Sequence, residues 1–378
     1  MSKVLNYWLL VFLLTLLASF NLTAANESHF VYLAYSFIKG SVSLVKLPPN
    51  LIDFSYFNGG YFSPLGPLPA IILMPFVLIF KTNFPEQIIK FPLSIINFWL
   101  IYKIATKLKL APSKSFALAV FFIFGSVYTP VAAVSYSTYF SHVVTTSTLF
   151  LALHEFVSYR RWILIGTAVA LGTLTRTTAF FASIFFIIFL IQKPPRFANL
   201  AQFITPIFIA LILMISYNYA RFGNFFETGY RYQIVLEESA KRREFGLFSV
   251  KHISTNLYYM LFKTPDPATH FPFLRFNDYG MSVFILSPVL FLILKANFKD
   301  KLVKTSMVAI LVTLIPLITY HGIGIRQIGY RYALDFAPFL LIILASAFKK
   351  ADEILIYFLA ILGIFITWFF TLEMLFGL

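Results

Sequence analysis

Long apolar stretches, separated by short polar segments, run along the chain from end to end. They are about 16–24 residues long, enough for a helix to cross a hydrocarbon core of about 30 Å. This pattern predicts an all-α polytopic membrane protein. Eleven transmembrane helices are expected, roughly at residues 5–25, 88–108, 114–133, 137–158, 162–175, 179–192, 199–220, 280–296, 303–321, 332–348 and 353–376.

Charged residues are scarce, and the positions of the basic ones predict how the helices are oriented. Short loops that are rich in Lys and Arg stay on the cytoplasmic side of a membrane. We assign to that side Lys3 and the clusters Lys103/Lys107/Lys109/Lys114, Arg160/Arg161, Lys193/Arg196, Lys295/Lys299/Lys301/Lys304 and Lys349/Lys350. With eleven crossings, this assignment leaves the C-terminus outside.

The same orientation leaves two large loops on the outer face of a single domain, 1–378. The first, 26–87, contains an apolar stretch at 65–80 that must begin and end outside. Four prolines in or beside that stretch favour a juxtamembrane or re-entrant helical element over a straight crossing: Pro64, Pro67, Pro69 and Pro75. The second loop is 221–279. We therefore expect the chemistry to be assembled from these outer loops.

Composition supports the membrane prediction and narrows the alternatives. Hydrophobic residues make up 59% of the chain and the mean hydropathy is +0.82, well above a soluble domain. No cysteine is present, which excludes disulfides, thiolate metal sites and a cysteine nucleophile. The net charge of +15 lies mainly at helix ends, as membrane topology requires, so it does not indicate nucleic-acid binding. Thr23-Ala24-Ala25 also fits a signal-peptide cleavage site, but we favour a retained first helix.

Two acidic residues of the first outer loop are candidate general bases. Glu27 directly follows the first apolar stretch, at a water–lipid boundary, and Asp53 lies further along the loop. A positioned base contributes about 10²–10⁴ in rate. Asp53 also fits a turn cap after Asn50. His29 and His142 lie near the same boundary, and a divalent metal held with Glu27 is the alternative to a site without cofactors.

Several arginines are candidates for binding phosphate. Arg176 lies between two apolar segments that are each too short to cross, so we expect it within the membrane, facing a cavity. The alternative is a buried, ion-paired residue. Arg331 stands at the mouth of an apolar helix, with Asp335 one turn further on and Arg326 five residues earlier. By contrast, the mixed charges of 237–244 are typical of an exposed helix with i,i+4 pairs.

Several loose motifs, in order along the chain, resemble the GT-C superfamily of integral membrane glycosyltransferases. The closest likeness is to the branch of protein O-mannosyltransferases and the aminoarabinose transferase. The motifs are Glu27 after the first helix, the loop Asp53–Pro67, Leu174-Thr175-Arg176, Tyr217-Asn218 with Phe222-Gly223 and Gly229-Tyr230, and Gly329-Tyr330-Arg331-Tyr332 with Asp335 and Pro338. The chain departs from the family in its second outer loop, which lacks an acid, and at Ser63-Pro64, where the aminoarabinose branch carries a lysine.

The resemblance implies inverting transfer of a sugar from a polyprenyl-phosphate donor to a hydroxyl of a glycan, lipid or protein acceptor. The reaction would take place on the extracytoplasmic face of a plasma or inner membrane, without a cofactor. Glu27 would be the base, with Asp53 next in order. The expected phosphate ligands are Arg331, Arg326, Arg176 and Arg221, and the expected substrate contacts are His29, Tyr61, His142, Glu227, Tyr230 and Asp335. The alternative is a lipid-linked sugar transporter or flippase, a class that often shows internal repeats; we find no repeat in the sequence.

Overall fold

The computed structural model describes residues 3–23, 27–136, 138–191 and 197–376. It is 70% helical, and the fold is therefore nearly all-α. The α-helices are α1 Lys3–Thr23, α2 His29–Ile38, α3 Leu68–Phe80, α4 Gln87–Lys107, α5 Pro112–Phe124, α6 Tyr128–Ala133, α7 Tyr139–Ser158, α8 Trp162–Thr175, α9 Ser183–Ile191, α10 Phe197–Phe222, α11 Glu237–Arg243, α12 Ile253–Leu261, α13 Val283–Leu286, α14 Lys301–Thr319, α15 Ala337–Lys350 and α16 Glu353–Phe376.

Shorter elements connect these helices. Two antiparallel hairpins pair β1 Ser55–Phe57 with β2 Gly60–Phe62, and β3 Asp266–Pro267 with β4 Leu274–Arg275. The 3₁₀ segments are Lys81–Asn83, Thr177–Ala182, Tyr230–Tyr232, Val250–His252, Pro288–Lys295 and Arg331–Asp335. Two features predicted from the sequence, the cleavage site at Ala24-Ala25 and the basic pair Lys193 and Arg196, lie outside the described residues.

Among the described residues, four helices are long and apolar enough to cross a membrane: α4, α10, α14 and α16. Each exposes large apolar side chains, for example Trp99, Ile212, Leu311 and Phe365. Such side chains on the outside of a helix suit lipid contact. The chain therefore has the character of a membrane protein, and the eleven crossings stay a prediction.

Four of the predicted crossings are not continuous α-helices in the described residues, and the prediction of a continuous helix was wrong there. The stretch 114–133 breaks at Gly125, whose added Cβ would lie 2.9 Å from the backbone nitrogen of Ile364 in α16. The stretch 280–296 consists of α13 and then a 3₁₀ segment that begins at Pro288. The stretches 179–192 and 332–348 each start as a 3₁₀ segment and become α-helical only at Ser183 and Ala337. Close backbone approach and proline are the physical causes of the first two breaks.

The site is positioned by α8, which packs against α7 and α10. At the crossing with α10, a Cβ on Gly166 would lie 2.3 Å from the carbonyl oxygen of Phe203. At the other end of α8, a Cβ on Gly66 would lie 2.0 Å from the carbonyl oxygen of Leu174. These glycines let backbone lie directly against backbone, as small residues do in membrane helix packing. The first outer loop is thereby held against the end of α8.

Substituting Gly166→Ala should force α8 away from α10. Overpacking of this kind costs about 1–3 kcal/mol, so we expect a lower melting temperature in detergent. Thr167→Ala, at the next and partly exposed position, is the control and should melt like the unaltered protein. Equal melting of both variants would show that the helices do not meet at Gly166.

Candidate functional site

A cavity of about 280 Å³ lies where α8, α14 and the two outer loops meet. Its apolar walls include Leu236 and Phe248 of the large loop and Pro316 and Leu317 at the end of α14. Its polar lining residues are Asp53, Thr138, Arg176, Thr177, Thr178, Tyr230, Gln233, Ser239, Tyr320, His321, Arg331 and Tyr332. The structure thus brings together four residues that the sequence predicted from separate segments: Asp53, Arg176, Tyr230 and Arg331.

Arg176 forms a bidentate ion pair with Asp335. The guanidinium Nε and Nη2 each donate to a different carboxylate oxygen at 3.0 Å, and the Thr178 hydroxyl donates to one of those oxygens at 2.7 Å. The pair is buried, with Arg176 9% and Asp335 0% exposed. Both sequence interpretations of Arg176 therefore describe it: it lines the cavity, and it is ion-paired. Its charge is largely balanced by Asp335, whose oxygens are already engaged.

Arg331 is the second buried guanidinium of the cavity, and it is held differently. One nitrogen, Nη1, donates to Gln327 Oε1 at 3.0 Å and to the Ile325 carbonyl at 3.2 Å. The group lies 5.6 Å from the Tyr139 ring centre and 5.1 Å from that of Tyr332. In the part of the chain that the structure describes, no carboxylate forms an ion pair with it, and its buried Nε has no hydrogen-bond partner. Arg331 is therefore a fixed cation suited to an anionic ligand.

Asp53 lines the cavity from the first outer loop. Its backbone is in the left-handed region, with φ of 71°, and its N–H donates to the Ile234 carbonyl at 2.9 Å. Gln233 Nε2 donates to Asp53 Oδ1 at 3.2 Å. The local turn is capped by another residue, because the Asn50 side chain accepts the N–H of Ile52 at 2.9 Å. Among the described residues that line the cavity, Asp53 is the one carboxylate.

Glu27 is outside the cavity lining. Its Oε1 accepts from Asn50 Nδ2 at 3.0 Å and lies 3.4 Å from Arg326 Nη1. The Arg326 side chain is 58% exposed and lies over the Tyr136 ring. Two residues that the sequence assigned to base and phosphate roles thus contact each other beside the cavity.

The two predicted histidines are buried behind the cavity. His29 packs on the Phe54 ring at 4.3 Å, and burial lowers its pKa to about 4. His142 Nδ1 lies 3.8 Å from Asp335 Oδ1. Neither side chain lines the cavity. Among the described residues, no group of three or more His, Asp or Glu side chains is arranged to hold a metal ion.

The remaining predicted contacts are spread around the site. Tyr61 pairs with Tyr56 on the β1–β2 hairpin at 5.0 Å, and a Glu227 oxygen accepts the Gly229 N–H at 2.8 Å. Neither lines the cavity. Arg221 lines a second, separate hollow. None of these three residues is part of the cavity: Tyr61 belongs to the first outer loop, and Glu227 and Arg221 belong to the large outer loop.

The sequence analysis assigned no site role to the other eight polar lining residues, among them Tyr320, His321 and Gln233. Tyr320 and His321 directly follow the apolar run of α14. Such a polar pair at a helix end could have indicated a position at the site. Gln233 carries no such signal in the sequence. Tyr230, which was predicted, is partly buried among these groups, and its removal from water raises its pKa to about 12.

Comparison with known proteins gives no match: no protein-family model, no curated protein and no solved structure is similar to this chain. The interpretation of the site therefore depends on its own geometry and chemistry.

Asp335→Asn should destabilise the protein strongly. Removing one partner of a buried ion pair leaves the other charge unbalanced and costs about 3–5 kcal/mol. The measurement is thermal unfolding in detergent. The matched control is Glu237→Gln, which breaks the exposed Lys241–Glu237 pair of α11 (2.7 Å) and should leave the melting temperature unchanged. Similar effects of the two substitutions would contradict the buried pair.

Stability should fall in mild acid because of His29 and His321. Burial lowers the pKa of each imidazole to about 4, whereas an unfolded histidine titrates near 6.5. The unfolded chain therefore binds more protons between these values, and stability is lost as the pH falls from about 6.5 towards 4. His321→Gln should flatten the melting-temperature profile in that window. His270→Gln, at an exposed position, should leave the profile as it is.

Proposed function

We propose that this chain is a multi-pass membrane glycosyltransferase of the GT-C type. It transfers a sugar from a polyprenyl-phosphate donor to an acceptor hydroxyl on the extracytoplasmic face. The observation that carries the proposal is one cavity that joins an unbalanced buried guanidinium, Arg331, to a carboxylate, Asp53. Candidate membrane-spanning helix α14 forms part of its wall.

The phosphate of the donor is assigned to Arg331. When the bond from the sugar to the phosphate breaks, negative charge builds up on the phosphate oxygen. A fixed cation in a site shielded from water stabilises that charge without reorganising. Arg176 has a supporting role, because Asp335 already balances its charge. The apolar wall at Pro316 and Leu317 offers the start of a path for the lipid tail along α14.

The general base is assigned to Asp53. It takes the proton of the acceptor hydroxyl, while the hydroxyl oxygen forms a bond to the anomeric carbon. The bond from that carbon to the phosphate oxygen breaks, its electron pair leaves with the phosphate, and the configuration inverts. Asp53 is preferred over Glu27 because it lines the cavity and Glu27 does not. Glu27 then orders the loops beside the entrance.

The test is sugar transfer from radiolabelled polyprenyl-phosphate donors by the full chain in nanodiscs, with a broad mixture of acceptors. Asp53→Asn should lower the rate at least about 10²-fold, since it removes the base but preserves shape. Arg331→Gln should lower the transfer rate about 10²-fold or more, because it removes the cation that stabilises the negative charge developing on the phosphate. Glu244→Gln, at an exposed carboxylate of the large outer loop 221–279, is the control and should transfer normally.

Two results would change the assignment. Loss of transfer with Glu27→Gln, but not with Asp53→Asn, would make Glu27 the base, as first predicted from the sequence. Absence of transfer by the unaltered protein from every donor would contradict a glycosyltransferase. Movement of a fluorescent lipid-linked sugar across the bilayer would then identify the transporter class.

A further inference from the structure

A second hollow, of about 460 Å³, lies between the β1–β2 turn and the end of α10. Phe57, Phe62 and Phe222 give it aromatic walls. Its other lining residues are Ser43, Asn58, Gly59, Gly60, Arg221 and Gly223. No residue of this hollow lines the apolar-walled cavity of about 280 Å³ described above. The two are therefore separate sites.

Arg221 is held rigidly at this second hollow and is only 3% exposed. Its Nη2 donates to Asn218 Oδ1 at 2.6 Å, its Nη1 donates to the Ser63 carbonyl, and its Nε donates to the Tyr217 carbonyl at 3.4 Å. The guanidinium also lies 3.9 Å from the centre of the Tyr217 ring. These bonds use three of its five N–H groups. Further donors are left, in a fixed orientation, for another acceptor.

The charge of Arg221 has no ion-pair partner among the described residues. Its hydrogen-bond acceptors are two carbonyls and an amide oxygen, all of them neutral. Glu227 lies within electrostatic reach of the guanidinium but forms no ion pair with it. Burying a cation that no carboxylate contacts directly is costly unless a ligand supplies a counter-charge there. The hollow therefore favours an anion.

Bare backbone makes the hollow accessible to a small polar group. Gly59 and Gly223 have φ of 81° and 66°, and a Cβ added at either position would meet nothing within 4 Å. Asn58, with φ of 46°, is an exposed lining residue of the same turn. Glycine at such positions permits close approach of a ligand to the main chain.

We propose that this hollow is an anion-binding site that takes a phosphate or carboxylate group. Two sources carry that chemistry: a soluble molecule and a lipid head group. Tyr230 lies within electrostatic reach of both Arg176 and Arg221, so the hollow neighbours the first cavity. An acidic group on the acceptor would then sit beside the donor; this last step rests on the proposed function, whereas the anion site does not.

The test is calorimetric titration of inorganic phosphate into the full chain in neutral detergent. Arg331→Gln is the background, so that the first cavity does not contribute. Adding Asn58→Asp places a negative charge at the rim without removing Arg221, and should raise the Kd for phosphate at least about tenfold, equal to about 1.4 kcal/mol. Asn297→Asp makes the same change at an exposed position elsewhere and should leave the Kd unaltered.

Nanodiscs separate the two sources. Phosphate binding that is equal in phosphatidylcholine and phosphatidylglycerol discs indicates a soluble ligand. A lipid head group is indicated if phosphatidylglycerol suppresses phosphate binding by the Arg331→Gln protein, and if the weaker binding of the Asn58→Asp variant is the same in both kinds of disc. Absence of phosphate binding in detergent and in both kinds of disc, or equal binding with Asn58→Asp, would overturn the site. None of these outcomes depends on sugar transfer, so failure of the anion site and failure of the proposed function can be told apart.

Discussion

The buried ion pair between Arg176 and Asp335 is the interaction on which the architecture of the site depends. It joins the residue after α8 to the turn before α15, 159 positions apart in the sequence. Because both groups are buried, neither has water to replace its partner, and each is stable only in the presence of the other. The pair fixes the 3₁₀ turn that carries Arg331, and it satisfies Arg176 internally. In the described part of the chain, no carboxylate forms an ion pair with Arg331, the second cation that lines the cavity.

The helical character of the fold could be predicted from the sequence, but its interruptions could not. A long apolar stretch is nearly sufficient evidence for a helix, because in lipid the backbone must satisfy its own hydrogen bonds. The break at Gly125 has another origin: that glycine lies against the backbone of α16, more than 200 positions away. The 3₁₀ segment at Pro288 was signalled by proline, yet apolar length outweighed it in the prediction. Contacts between distant segments therefore decide where a helix ends.

The arginines of the site were easier to predict than its acid. A guanidinium within apolar sequence stands out, because it is expensive to place there. Glu27 and Asp53, by contrast, both lie in a polar loop, where a carboxylate is ordinary. The two acids differ in a contact with Gln233, which lies 180 positions from Asp53 in the sequence. The Gln233 amide donates to the carboxylate and to the backbone carbonyl of Asp53, and this contact joins the two outer loops. No local pattern in a single sequence contains that pairing.

The near cancellation of charge in the main cavity has a consequence for how a substrate arrives. Arg176 is balanced by Asp335, and the remaining charges, on Arg331 and Asp53, are opposite in sign. Opposite charges that share one small cavity produce little field beyond a Debye length of about 8 Å. Attraction from the aqueous phase therefore contributes little to the encounter. On the proposed function, the donor would be captured at close range, at Arg331, after diffusing sideways in the bilayer.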